Sequence, residues 1–464
     1  YVATLGITDD DTVYEDCSFI MQPQASMVIM DQTTGEVVAM IGGRGEKTAN
    51  KTLNRASDSL RNPGSTFKIV AAYAPAFEEL GYGPGTVLYD GPYAYSGADS
   101  RLVKNWDKNT PYRGWTTIRE AITRSMNIMA VKTITDVTTP VAVDYLLRFG
   151  FTSLSLEGSN TDYGQATALG GITNGVSNLE LTAAYAGIAN KGDYIKPRMY
   201  TKVVDNEGNV VLDNEPDETQ VISEQNAWLL IDCMKDVVNG AGGTSGSAKI
   251  TNMTTAGKSG TTSENRDVWF VGMSPYYTAG IWVGYDNNGY KHELSSKAGE
   301  TSFHKKLWAK VMSRIHEGLE NKDFEKPSGI VQATICTKSG KLAVAGLCDS
   351  DGREGIVRNE YFAEGTVPTE TCDHHVIVNI CADTGLLATS MCPNQVPQVK
   401  LLLPAMQEGV AEAVTQDTAY GISANLQAAT CTVHSGGVYV PSEYELSGGG
   451  AAGTAAPAQD QGGA

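Results

Sequence analysis

The stretch RNPGSTFK, residues 61–68, places a lysine three residues after a serine, just behind Pro63 and Gly64 and just ahead of an apolar run with helical spacing. A serine hydroxyl is a poor nucleophile until a neighbouring base takes its proton. Residues three apart on a helix share a face, so Ser65 and Lys68 fit a helix start with the hydroxyl at its N-terminus. There the helix dipole favours a developing oxyanion. A lysine acts as a base only as the free amine, a form that burial and nearby cations promote by lowering its pKa. The plainer reading of the same residues is a capped helix. Serine is common at N-caps, and Ser-x-x-Lys arises by chance in most long chains.

Two further stretches bear on that choice. TRSMNIMA supplies Ser125, Met126 and Asn127 at a break between helical segments, where a hydroxyl and an amide two apart can both point into a cleft. AGKSGTTS supplies Lys258, Ser259, Gly260, Thr261 and Thr262 just ahead of an aromatic strand. A glycine there lets a substrate backbone lie against a strand edge, and the lysine and hydroxyls suit a carboxylate. Trp106, in KNWD, either lines such a cleft or packs at an edge. Trp269 and Trp282 read as strand packing, and Glu180 as part of a scaffold helix with no catalytic role.

The elements that position these residues follow from periodicity. SMVIMDQTTGEVVAMIGG reads as a β-hairpin around a Thr-Thr-Gly turn, and DVWFVGMSPYYTAGIWVGYD as a second around Ser274 and Pro275. STFKIVAAYAPAFEELG is helical and ends on Gly81. TTIREAITRSMNIMAVKTITDV opens with Thr117 and Glu120 at capping-box spacing. NLELTAAYAGIANKG reads as an amphipathic helix. Strands at both ends with helices between them predict an α/β domain of the α+β type over 25–325, its sheet joining distant segments. Residues 1–24 read as a linker from a preceding domain, 326–400 as a small β-rich module containing cysteines, 401–445 as a C-terminal extension, and 446–464 as a disordered low-complexity tail.

The chain has 464 residues, 41% hydrophobic and 19% charged, enough for a large core plus appendages. Its net charge of −18 disfavours nucleic-acid binding, since like charges repel the phosphate backbone. It carries no Walker loop, dinucleotide fingerprint or His-Glu-x-x-His helix, and no catalytic metal is expected in the main body. No apolar run is long enough to span a bilayer. The chain opens at Tyr1 without a signal-like segment, so a membrane anchor and any glycosyltransferase domain are expected upstream.

Six of the eight cysteines fall after residue 335. ICTKSGKLAVAGLC recurs in altered form as ICADTGLLATSMC, each copy a hairpin turning at its glycine. Disulfides Cys336–Cys348 and Cys381–Cys392 would close these hairpins in an exported protein. The alternative is a Cys₃His zinc site of Cys336, Cys348, Cys372 and His374. The disulfide reading is adopted, with no metal.

Ser-x-x-Lys, Ser-x-Asn and Lys-Ser/Thr-Gly, in that order, form the motif set of penicillin-binding proteins and serine β-lactamases. The chain resembles the transpeptidase domain of class A penicillin-binding proteins. TGEVVAMIGG, LNRASDSLRNPGSTFK, SNLELTAAYAGIANKG and GKSGTTSENRDVWFVGMSPYYTAGIWVGYD all carry the likeness, which covers about 25–315. Two departures are conservative: a serine at 259 where threonine is usual, and Met126 between Ser125 and Asn127.

The resemblance implies a central antiparallel sheet flanked by helices, no cofactor, and a D,D-transpeptidase of peptidoglycan that β-lactams inhibit. It implies Ser65 as nucleophile, Lys68 as base, Ser125 as proton relay and Asn127 as donor-peptide ligand. Lys258, Ser259, Gly260, Thr261 and Thr262 would hold the terminal carboxylate side, and the backbone N–H groups of Ser65 and Thr261 would form the oxyanion hole. Its partners would be stem peptides, as D-Ala-D-Ala donor and amine acceptor, and its place the outer face of the bacterial cytoplasmic membrane. The alternatives are a serine β-lactamase or D,D-carboxypeptidase, and a non-catalytic β-lactam sensor or wall-binding module.

Overall fold

The computed structural model describes residues 8, 22–47, 49–97, 101–107, 112–286, 293–423 and 430–434. Cys17, most of the expected linker, parts of the expected extension and the expected tail lie outside these residues. Alternating apolar positions bring two hairpins into one sheet. The first is β1 (Gln24–Asp31) with β2 (Val37–Ile41). Two short strands that pair with each other follow, β3 (Val87–Asp90) and β4 (Gly114–Thr117). Two small ladders come next, β5 (Asp193–Ile195) with β8 (Glu218–Gln220) and the exposed β6 (Lys202–Val204) with β7 (Val210–Asp213). Then β9 (Ala256–Thr261), β10 (Asp267–Met273) and β11 (Tyr277–Gly284) complete a five-stranded antiparallel sheet of order β2-β1-β11-β10-β9. Both faces of β1, β10 and β11 are buried, with successive side chains alternating between them. Val28, Met30, Trp269, Val271 and Trp282 face the main helical core, whereas Met27, Ile29, Phe270 and Ile281 face the other side.

Helices cover both faces. α1 (Ala74–Glu79), α2 (Ile118–Thr123), α3 (Asn127–Val137), α4 (Thr139–Arg148), α5 (Asn178–Ala189) and α6 (Glu224–Asn239) lie on the main-core side, and α7 (Phe303–Ile315) packs Trp308 and Met312 on the opposite face. Each such fully buried apolar side chain stabilises the fold by about 1.5–3 kcal/mol. The expected capping bond of α2 is present, Thr117 Oγ1 accepting from the Glu120 N–H. α5 differs from its amphipathic reading, being buried along nearly its whole length between the sheet and α6. Gly280 of β11 permits that approach: a Cβ there would fall 2.2 Å from Thr182 Oγ1 of α5. No described helix is long and apolar enough to cross a membrane.

After α7 the chain builds β12 (Ile330–Cys336) paired with β13 (Val357–Ala363), then β14 (His375–Cys381), β15 (Gln395–Leu403) and β16 (Gly421–Ser423). The two repeats turn at Gly340 and Gly385, both with positive φ. The expected disulfides are not there. Cys336, Cys348, Cys381 and Cys392 are all free and buried. Each pair instead gathers a third cysteine and a histidine from a later segment: Cys372 and His375, and Cys431 and His434. His374, named in the alternative, points elsewhere, stacking on Trp115 with Nδ1 2.6 Å from the Lys338 carbonyl.

Candidate active site

Gly64–Thr66 form a 3₁₀ turn that runs through a wider π-turn, Ile69–Tyr73, into α1. Wide turns of this kind are frequent at functional sites. Ser65 lies inside the first turn and no side chain caps it, so the simple capping role does not apply. The turn is held from three sides. Thr66 Oγ1 donates to the Pro63 carbonyl (2.8 Å), Tyr185 Oη of α5 to the Thr66 carbonyl (2.6 Å), and Trp269 Nε1 of β10 to the Asn62 carbonyl (2.9 Å). Glycine is required where the turn meets β9. Gly64 has φ +55°, and a Cβ there would fall 2.9 Å from the Thr261 carbonyl oxygen; one on Gly260 would fall 2.3 Å from the Pro63 oxygen. Gly64→Ala is therefore expected to cost about 1–3 kcal/mol, the range for a strained positive-φ position. Urea denaturation checks this, and a loss within experimental error would contradict it.

Lys68, one turn after Ser65, is completely buried. Its Nζ donates to the Ser125 carbonyl (2.7 Å) and to Asn127 Oδ1 (2.6 Å), with Ser125 Oγ at 3.3 Å. Two strong acceptors take the two N–H bonds of a neutral amine and leave its lone pair for a hydroxyl. Burial, then the charge of Lys258, push its pKa well below the usual lysine value. Lys258, also fully buried, donates to Ser125 Oγ (2.8 Å) and the Ser259 carbonyl (2.9 Å). Burial, then Lys305, bring its pKa down to about 7. Ser125 Oγ thus bridges the two amines.

Ser125 sits where α2 stops and α3 begins, with φ +56°, a left-handed conformation costly for a non-glycine residue. Asn105 braces that break, its Oδ1 accepting from the Asn127 N–H (2.9 Å) and its Nδ2 donating to buried Asp90 (2.9 Å). Asn127 Nδ2 donates to the Lys104 carbonyl (2.7 Å).

These residues open on a cleft of about 750 Å³ whose lining includes Ser65, Ser125, Asn127, Ser259 and Thr261. Trp106 stands at its mouth, 60% exposed, with Nε1 donating to the Arg124 carbonyl (2.8 Å). Gly260 is buried against the Ser65 turn, and Thr262 Oγ1 is engaged with Asp267. No carboxylate is among the described residues that line the cleft. Sequence reasoning missed Thr244, whose hydroxyl lies 3.3 Å from Ser259 Oγ, and Lys305 on α7, which donates to the Thr244 carbonyl (3.0 Å). It also missed Asn105 and Tyr185. All four act across long sequence separations; Asn105 lies in KNWD and Tyr185 in SNLELTAAYAGIANKG, whereas Thr244 and Lys305 have no local signature.

Comparison with known proteins adds the following. A family model described as the penicillin binding protein transpeptidase domain matches residues 25–312, and one described as the penicillin-binding protein 1A C-terminal domain matches 326–377. Penicillin-binding protein 1A of Clostridium tetani is 35% identical over 78% of this chain and 46% of its own length. The chain thus spans about half the length of the curated relatives it matches. Among solved structures, penicillin-binding protein 1A of Haemophilus influenzae aligns over 75% of this chain and 54% of that one, at TM-score 0.61 and 24% identity. The PonA1 protein of Mycobacterium tuberculosis, solved with penicillin V, aligns over 66% and 81%, at TM-score 0.57 and 23% identity. At that identity the two structures speak for the fold.

Proposed function

The chain belongs to the class A penicillin-binding proteins, through a transpeptidase domain followed by a 1A-type C-terminal domain, and from that membership we propose that it is a peptidoglycan D,D-transpeptidase working through an acyl-enzyme on Ser65. The observation that carries this reading is Lys68, buried and depressed in pKa one turn from Ser65, in a cleft whose described lining holds no carboxylate. Ser65 Oγ attacks the carbonyl of the D-Ala-D-Ala bond and Lys68 takes its proton. The oxyanion is met by the N–H groups of Ser65 and Thr261, a placement supported by the close fit of Gly64 against Thr261. Ser125, bridged between the two lysines, passes a proton to the departing D-alanine. Lys258, Ser259 and Thr261 hold the terminal carboxylate, Asn127 the peptide amide. The amine of a second stem peptide then attacks the ester, forming the cross-link and freeing Ser65.

On this reading residues 25–325 are the catalytic domain, 1–24 a linker to it, 326–400 and 401–445 the C-terminal module and its extension, and the enzyme faces the wall from the outer side of the membrane. Hydrolysis of the acyl-enzyme needs a base that activates water, and the described residues lining the cleft include no carboxylate for it. A fluorescent penicillin adduct on Ser65 should therefore persist for many minutes to hours. Release within seconds with bulk penicillin turnover would favour a β-lactamase, and no adduct at all a non-catalytic module.

The two lysines set the pH profile. Lys68 must be neutral, so acylation falls as pH drops through its depressed pKa. Lys258 must be charged to attract the carboxylate, so acylation falls again as pH rises through about 7. The second-order acylation rate reports the free enzyme and should be bell-shaped with its alkaline limb near 7. Lys258→Arg should flatten that limb, because arginine stays charged; an unchanged limb in that variant would refute the assignment.

A further inference from the structure

The two cysteine repeats recur in three dimensions as well as in sequence. Each supplies an Ile-Cys strand end, a glycine turn, a Leu-Ala pair, a second cysteine and, later, Cys-x-x-His: Cys336, Cys348, Cys372 and His375, then Cys381, Cys392, Cys431 and His434. In each group the four ligand atoms lie within 4.8 Å of one another. The backbone around them is duplicated. The Gly340 and Gly385 N–H groups donate to the Cys336 and Cys381 carbonyls, both at 2.8 Å. The Cys372 and Cys431 N–H groups donate to the Leu342 and Leu387 carbonyls, again at 2.8 Å. Sγ of the second cysteine accepts a backbone N–H in each copy, from Val344 (3.3 Å) and from Thr389 (3.2 Å).

The distances fit a metal. His375 Nδ1 is 3.4 Å from Cys336 Sγ and 3.5 Å from Cys372 Sγ; His434 Nδ1 is 3.4 Å from both Cys381 Sγ and Cys431 Sγ. In a zinc tetrahedron with Zn–S about 2.3 Å and Zn–N about 2.1 Å, neighbouring S and N atoms stand about 3.5 Å apart. The far nitrogen of each ring meets a carboxylate, Asp351 at 2.8 Å and Asp383 at 3.5 Å. That outer partner orients metal-bound histidines. A disulfide in either cluster would strand its third thiol, and would leave the paired His–Asp arrangement without a purpose.

We propose that the C-terminal region carries two structural zinc sites, one in each repeat, each closed by three cysteines and one histidine. With four protein ligands, neither leaves a position for substrate. Binding releases the thiol protons to solvent, and each ion ties a hairpin to a later segment of the chain. The first site also reaches the catalytic domain. Asp351 pairs with Arg353, which reaches fully buried Asp417, and Asp417 accepts the Trp115 N–H (2.6 Å) of β4. The inference is independent of the Ser65 chemistry.

The test is metal analysis of the full chain purified without chelator. Two zinc ions per chain are expected, falling to one in Cys336→Ser and one in Cys381→Ser. Cobalt exchanged into the wild type should give tetrahedral d–d bands and thiolate charge-transfer absorption, a readout that needs neither variant to fold nor activity. Substoichiometric zinc after reconstitution would overturn the proposal, as would a Cys336–Cys348 or Cys381–Cys392 bridge in a non-reducing peptide map, or two zinc ions retained in both variants.

Discussion

Lys68→Ala is expected to slow acylation of Ser65 by ~10²–10⁴-fold, the usual contribution of a general base. The size follows from what the side chain does. Nζ is held by the Ser125 carbonyl and Asn127 Oδ1, which orients its lone pair, and burial and then the charge of Lys258 favour the unprotonated form. Alanine removes base and bracing together. Lys68→Arg should be nearly as damaging for a different reason: the site is fully buried, and arginine brings a permanent charge and no free pair. Ser65→Ala should give no adduct at all. The measurement is the single-turnover rate of labelling by a fluorescent penicillin, with far-UV circular dichroism to confirm folding. A Lys68→Ala rate within a few-fold of wild type would remove Lys68 as the base.

Apolar, β-branched and aromatic runs made the sheet legible in the sequence: β1, β10 and β11 bury both faces, and β2 lies at the sheet edge with Val38 and Ile41 exposed. The motif residues were legible because each set occupies one turn, one helix break or one strand edge. What stayed hidden depends on distant partners. Lys305 reaches the site from α7 and Thr244 from a loop, neither with a local signature. α6 has helical spacing in NAWLLIDCMKDVV but carries no catalytic motif. Pairing the cysteines within each hairpin rests on the glycine turn that each pair would close and on an exported setting, and it leaves out the third cysteine of each cluster. Reading the two copies of Cys-x-x-His, at 372–375 and 431–434, as part of the same repeat would have found the fourfold clusters.

Arg119 illustrates a long-range effect of comparable size. It opens α2, the helix that ends just before Ser125, and is only 4% exposed. Its guanidinium makes a two-pronged pair with Glu360 of β13 (2.6 and 2.8 Å) and also binds Asp232 (2.6 Å) and Asp236 (3.0 Å) of α6. One side chain therefore joins the Ser125 helix, α6 and the C-terminal module. Glu360 is itself 1% exposed, so Arg119→Met leaves a buried carboxylate with only the Tyr361 N–H (2.9 Å) and a loose pair to Arg358 (3.7 Å). Removing one partner of a buried pair typically costs about 3–5 kcal/mol, most of it from the charge left behind. Replacing both partners avoids that cost. Arg119→Met/Glu360→Met should recover much of the loss, since Asp232 keeps Lys235 (3.2 Å) and Asp236 is a third exposed. The coupling between the two sites should then exceed about 1 kcal/mol in a double-mutant cycle, read from urea denaturation of the four proteins. Additive effects, or a single variant within about 1 kcal/mol of wild type, would mean that the module is held to the catalytic domain by its apolar contacts and that this ion cluster contributes little.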